Sequence, residues 1–390
     1  MRRVLIFCMV VMYFTVIATA QETSEISITQ IADGLNNPRG VAVMPNGDLL
    51  VVEAGTGSDQ PENIVGSGRI LQLSDDDDNG YFTDEADTTS VLLDAQPSFN
   101  SLAVYRTGHD EPFGLNDIYL MDDGRIFFTR DHPFAEGGRN TGGEGYYGEV
   151  GIYQLNLENG RFRTIAQRSA TLNALAYHPE NELFYATESG FNQIMSTTLD
   201  GEVEIVAPMP ILANNQQPVP AGIAVDPTTG DVLVALFSGF VYDYFGTQMG
   251  FMPGDARVVR VDTETGAVTD EITGLTTAID VTVDAQGNIY VVELTTVWEP
   301  NPMPFDFDLT DDTLPPDPGG YARYTGRVSM LPVGSDTLVS LATGLDMPSN
   351  ITFHESALYV SIGLGTPQRR VLTPQGIERI DGRIVRITGF

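Results

Sequence analysis

Two histidines in this 390-residue chain stand beside acids in a way that suits proton transfer: His109 in Gly-His-Asp-Glu-Pro-Phe and His132 in Arg-Asp-His-Pro-Phe. Paired with Asp110, Asp131 or Asp117, either imidazole can act as a general base near neutral pH. With Asp117 and Asp280 they are weak catalytic candidates, since a loop histidine without a fixed partner is ordinarily polar surface. A second set, Arg39, Glu53, Asn116, Asp117, Asn173, Asp280, Glu293 and Asn350, recurs at matching places in successive repeats. Carboxylate and amide oxygens converging from several repeats suit a calcium ion, which would polarise a lactone or ester carbonyl. The same residues also suit the wall of a wet channel that does no chemistry.

A third set lies in one loop. Asp75, Asp77, Asn79 and Tyr81 alternate, with Gly80 before the last, as in the opening half of a calcium loop where oxygen groups converge around a sharp turn. The place of the closing bidentate glutamate is held by Ala86, between Glu85 and Asp87. A solvated acidic hairpin tip is the competing reading.

Composition removes other chemistries. All 20 basic residues are arginine, so a Schiff-base lysine and a phosphate-loop lysine are excluded and pyridoxal phosphate is not expected. No G-x-S-x-G, zinc-spaced His/Cys set or dinucleotide loop is present, and NAD is not expected. The formal net charge of −33 makes nucleic acid an unsuitable partner.

A repeat positions these residues. Gly34 to Glu53 (GLNNPRGVAVMPNGDLLVVE) reads as a strand from Arg39 to Val43, a turn at Pro45-Asn46-Gly47-Asp48, and a returning strand from Leu49 to Val52. Copies begin at Gly114, Asn173, Pro220, Gly274 and Gly344, making six, and five of them are followed by a second hairpin. Four-stranded antiparallel units in tandem predict an all-β, six-bladed β-propeller. The sixth copy gains only a third strand, from Gly382, before Phe390, and Ser24 to Ala32 is an unpaired strand-like segment. The N-terminal strand is therefore expected to complete the last blade and close the ring.

Propeller loops sort by face, and the long ones here join second to third strands or one blade to the next. They are 54–67, 130–147, 237–255, 294–325 and 363–381, with 98–113 between blades. Extra length gathered on one rim is what a binding face looks like. Two of these loops are aromatic, with Tyr242, Tyr244 and Phe245 in one and Trp298 in the other, which suits a lid, a recognition patch or a small loop core. Aligned on the turns, the Gly40 position becomes Asp117, Ala174, Gly222, Asp280 and Asn350, and the Arg39 position becomes Asn116, Asn173, Ala221, Ile279 and Ser349. Strict alternation would let only one of each neighbouring pair face the channel. His178 and His354 fall in turns of the opposite face and are expected at the surface.

Arg2, Arg3, an apolar run from Val4 to Ile17 and Ala18-Thr19-Ala20 read as a secretory signal over residues 1–20, leaving 21–390 as one propeller domain. The expectation is a secreted or periplasmic monomer with no membrane span after cleavage. Cys8, the single cysteine, falls in the signal, so no disulfide is expected.

The run Gly34 to Gly57, VPAGIAVDP with an aromatic insertion before ARVVRVD, GLTTAIDVTVDAQGNIYVVEL and GLDMPSNITF resemble the ScyD/ScyE family, exported propellers related to the NHL and TolB-like propellers. That resemblance implies six blades and export, and little about chemistry. The acidic loop at Asp75 to Asp78 and the insertion from Trp298 to Pro318 depart from its pattern. Gluconolactonase-like hydrolases, with a related ring, hold one catalytic metal at the channel mouth. Soluble quinoprotein sugar dehydrogenases, which also have six blades, use basic groups including lysine at their cofactor site, and since this chain lacks lysine that comparison implies no pyrroloquinoline quinone (PQQ). The expectation is a module binding a small molecule, glycan or exported protein on the long-loop face, the alternative a calcium-dependent lactone or ester hydrolase.

Overall fold

The computed structural model describes residues 25–57, 65–100, 110–131, 150–169, 171–237, 241–242, 249–250, 252–297, 321–373 and 376–390. They form six antiparallel blades around an axis. The inner strands are Pro38–Val43, Leu115–Leu120, Leu172–His178, Pro220–Val225, Ala278–Val283 and Asn350–His354, for blades 1 to 6 in order. Each touches the next, and blade 6 touches blade 1. In blade 1 the turn is closed by the Met44 amide on the Asp48 carbonyl, and Gly47 takes the left-handed φ of 93° that the turn needs.

Ring closure takes the expected form. Ser27–Leu35 pairs with Gly382–Thr388, setting Ile28 opposite Ile387 and Gln30 opposite Val385. The outermost strand of blade 6 thus comes from the start of the chain. Two further hairpins stand within the long loops: Val241–Tyr242 with Met249–Gly250, and Arg370–Thr373 with Gly376–Arg379.

Packing explains why the second strands read as unbroken apolar runs (LLVVE, VLVAL, IYVVE) rather than as alternating ones. Successive side chains point to opposite faces, and here both faces are covered by neighbouring blades. Leu50 and Val52 pack with Ile118, Ile126 and Phe128 of blade 2, while Leu49 and Val51 pack with Ile31, Ala32 and Ile384 of blade 6. Similar clusters fill the other four junctions. Each such side chain contributes about 1.5–3 kcal/mol when removed from water, so an isolated blade would forfeit both faces.

Candidate binding face and channel hub

At the start of the inner strand the pairing slips by a residue in blades 1 to 5, at Pro38/Val41, Leu115/Ile118, Leu172/Leu175, Pro220/Ile223 and Ala278/Asp280. These bulges break the period of two, which corrects the expectation that only one of each neighbouring pair could face the hub. Asn116 and Asp117 both reach blade 3: Asn116 Nδ2 donates to Asn173 Oδ1 at 3.2 Å, and Asp117 Oδ2 accepts from the Leu175 amide at 2.9 Å. Asn173 Nδ2 continues to the Pro220 carbonyl of blade 4.

Asp280 performs the same stitch from blade 5 to blade 6. Its Oδ2 accepts from the Ile351 amide at 2.9 Å and from Asn350 Nδ2 at 2.7 Å, and Asn350 Oδ1 accepts from the Val41 amide of blade 1 at 3.3 Å. Each aspartate nests against a glycine of the preceding blade. A Cβ at Gly222 would lie 2.0 Å from Asp280 Oδ1, and one at Gly40 2.7 Å from Asp117 Oδ1. Burial pushes the Asp117 carboxyl up to about 6, and burial followed by the charge of Asp117 pushes Asp280 well above the ordinary carboxylate range.

Hydroxyls add a relay that no sequence signal marks. Thr129 accepts from the Asp117 amide and donates to the Asn173 carbonyl, Thr187 repeats this between Ala174 and Ala221, and Ser361 donates to the Arg39 carbonyl.

The mouth on the long-loop face has two halves. At the long-loop ends of blades 4 to 6, Phe237, Leu294, Tyr321, Met347 and Leu364 form a buried apolar cluster with Ala221, and Ile279 packs at its margin. Over blades 6 and 1 the mouth is ionic. Asp110 accepts from Arg369 Nε at 2.7 Å and from the Thr366 amide and hydroxyl, Arg323 pairs with Asp346, and Arg39 pairs with Glu111 at 2.6 Å while donating to the Pro112 carbonyl. Burial disfavours the charge on Asp110, yet Arg369 and Thr366 hold its carboxyl below the ordinary value. Sequence spacing gave no sign of this network, because its members lie in loops far apart along the chain.

Glu53 and Glu293 do not join the channel-mouth group. Each is fully buried beside an arginine directly across its blade: Glu53 meets Arg69 and the Asn36 amide, and Glu293 meets Arg327 and the Thr276 amide. Burial raises Glu53 above the ordinary glutamate value despite Arg69. His178 corrects the surface expectation. It is 5% exposed, accepts at Nδ1 from the Asn181 amide and therefore donates from Nε2 to the Gly230 carbonyl of blade 4 at 3.1 Å.

In the acidic loop, ligand atoms of Asp75, Asp77 and Asp87 lie within 4.8 Å of one another. Asp87, one place beyond Ala86, takes the closing position, and Asn79 and Tyr81 instead make a local turn in which Asn79 Oδ1 accepts from the Tyr81 amide. The loop rests on the closing strand, with the Phe82 amide donating to the Ile31 carbonyl at 2.7 Å. His109, His132, Tyr244, Phe245 and Trp298 lie outside the described residues, and Tyr242 belongs to the short hairpin with Met249.

A catalytic metal at the mouth needs several free oxygen or imidazole donors aimed at one point. Among the described residues, three His, Cys, Asp or Glu ligand atoms gather only in the acidic loop. The described acids near the hub and mouth are bound to amides or arginines. The described carboxylates at the mouth, engaged in this way, do not fit such a metal.

The profile of a family described as SMP-30/Gluconolactonase/LRE-like region matches residues 39–278. No curated protein sequence matches the chain. A structural genomics protein of unknown function from Bacteroides thetaiotaomicron is similar in fold, with a TM-score of 0.52 at 12% identity over 94% of this chain and 76% of that one. A putative oxidoreductase (glucose dehydrogenase) from Thermus thermophilus gives 0.50 at 15% identity over 93% and 100%. A virginiamycin B lyase from Staphylococcus aureus gives 0.48 at 12% over 93% and 99%. At these identities the likeness is one of fold.

Proposed function

Because the chain belongs to the SMP-30/gluconolactonase/LRE-like family, we propose that it uses that family's ring as a binding module, holding a small molecule, glycan or exported protein against its long-loop face. The observation that carries this reading is the buried apolar cluster of Phe237, Leu294, Tyr321, Met347 and Leu364 at the long-loop ends of blades 4 to 6. Loop residues packed together at this face suit a surface for a partner better than an open funnel for a substrate. The arginine-bound or amide-bound acids around it support the same reading, as does the ScyD/ScyE resemblance, which carries no implied catalysis. The leader-like residues 1–20 support an exported setting.

The family name keeps a metal-dependent lactone hydrolase in view as the competing activity. Purified protein is incubated with a panel of lactones and esters, with and without calcium, alongside a glycan array and a pull-down from the exported fraction. The expected result is no metal-dependent turnover, together with a partner whose retention drops at least tenfold when Tyr244 and Phe245 are replaced by serine. Lactone turnover that appears with calcium and vanishes with chelator would replace the binding reading with the hydrolase.

A further inference from the structure

The segment that joins the outer strand of blade 3, Val203–Pro208, to the inner strand of blade 4 crosses the long-loop face. Residues 205–225 carry no charged side chain although the whole chain has a net charge of −33, and Asn214, Asn215, Gln216 and Gln217 follow one another within them. The Leu212 amide donates to the Gln216 carbonyl and closes a tight loop, and this antiparallel bridge sets the two side chains next to each other. Leu212 packs in the apolar seam between blades 3 and 4. Gln216 beside it is fully buried, and among the described residues neither its Nε2 nor its Oε1 has a hydrogen-bond partner. A buried amide with nothing to donate to or accept from works against folding, so its presence asks for another reason.

Asn192, on the adjoining loop of blade 3, fastens the segment. Its carbonyl accepts from the Met209 amide at 2.8 Å, its Oδ1 accepts from the Val219 amide at 3.0 Å, and its Nδ2 donates to Gln217 Oε1. Val219 is held at a φ of 45°, a left-handed conformation that a β-branched side chain strains to adopt. Phe191, next to Asn192, is 52% exposed, and Ile211 on the segment itself is 53% exposed.

We propose that residues 209–219 form a strap that opens to take a neutral glycan, with Gln216 as its recognition amide and Phe191 as its stacking platform. This rests on the binding-module reading above and names the ligand class. Sugar hydroxyls donate and accept, as an amide does, and the C–H face of a pyranose packs on an aromatic ring. An uncharged strap suits an uncharged ligand, because an anionic one is repelled by the charge of the chain. Hydroxyls that take Asn192 Nδ2 from Gln217 release the strap, Val219 leaves its strained conformation, and the Gln216 amide gains the partners it lacks when the strap is shut.

The test titrates the purified chain with cellohexaose, maltohexaose and mannohexaose as neutral probes and an oligogalacturonate as the anionic control. The parent is expected to bind a neutral probe at least about tenfold more tightly than the control. Gln216→Leu should raise the folding constant in a denaturant melt about tenfold and weaken that probe at least about tenfold. Phe191→Ala should weaken the probe with the melt unchanged, and the Val219 amide should exchange its hydrogen faster when the probe is bound. Failure of all three neutral probes to bind the parent overturns the proposal, as does binding that is unchanged in Gln216→Leu or an unchanged Val219 exchange rate. A folding constant for Gln216→Leu no higher than the parent's also overturns it, since buried water then satisfies the amide. A pulled-down partner lost on replacing Tyr244 and Phe245 but retained by Gln216→Leu and Phe191→Ala leaves the binding module standing and removes this site.

Discussion

Glu293 and Arg327 form an unequal pair. The glutamate is 1% exposed and the arginine 34%, so the two truncations leave different orphans. Arg327→Ala strands a buried carboxylate and is expected to cost about 3–5 kcal/mol in a denaturant melt, whereas Glu293→Gln lets the arginine return to water and costs about 1–3 kcal/mol, chiefly through the Thr276 amide. Equal losses would show that burial of the acid is not the governing factor. Gly222→Ala should destabilise by about 1–3 kcal/mol or more, because its Cβ would fall 2.4 Å from the Asp280 Cα as well as on its carboxylate. Turn alignment located this ring position from sequence alone. It could not tell that Glu53 and Glu293 face arginines, because Arg69 lies 16 residues on and Arg327 lies 34 residues on, at a cross-strand register that the loop lengths conceal.

Among the elements, the closing strand offers the sharpest test. Ile31 is fully buried between blades 6 and 1, and Ile31→Ala is expected to cost about 2–5 kcal/mol, while Ile28→Ala, at 46% exposure, should be close to neutral. Hairpins and closure were legible because turn residues and apolar runs are local signals. The slips at the inner strands were not, since a bulge depends on what the neighbouring blade asks of the backbone. The acidic loop was half legible: the Asp75 and Asp77 spacing stands out, but a bend brings Asp87 rather than Ala86 to the closing place. Calcium is expected to raise the melting temperature, chelator to reverse the rise, and Asp75→Asn to abolish it; an unchanged melt in excess calcium would leave the loop as a solvated tip.

For the whole molecule, two families of carboxyl groups set opposite limits on pH. Burial works against the charge of Asp110, Asp226 and Asp284, yet bonded partners hold all three below the ordinary range. Their contribution is present above the ordinary carboxylate value and lost as pH falls through the folded values. Asp117 and Asp280, raised by burial, lose their contribution in the other direction. Stability should therefore peak between the two regimes, and the alkaline side of the curve alone should flatten in Asp280→Asn. Ligand identity was not legible in the sequence, because recognition on a rim depends on how separate loops meet, and loop meetings leave no period in the chain.

The pairing of Ser27 with Thr388 also has a consequence in time. During synthesis the first blades emerge with one flank bare, and the seam cannot be stitched until the final strand is made. Refolding should show a slow final phase, abolished when the Ser27–Leu35 segment is deleted, and aggregation should be greatest while that seam stays open.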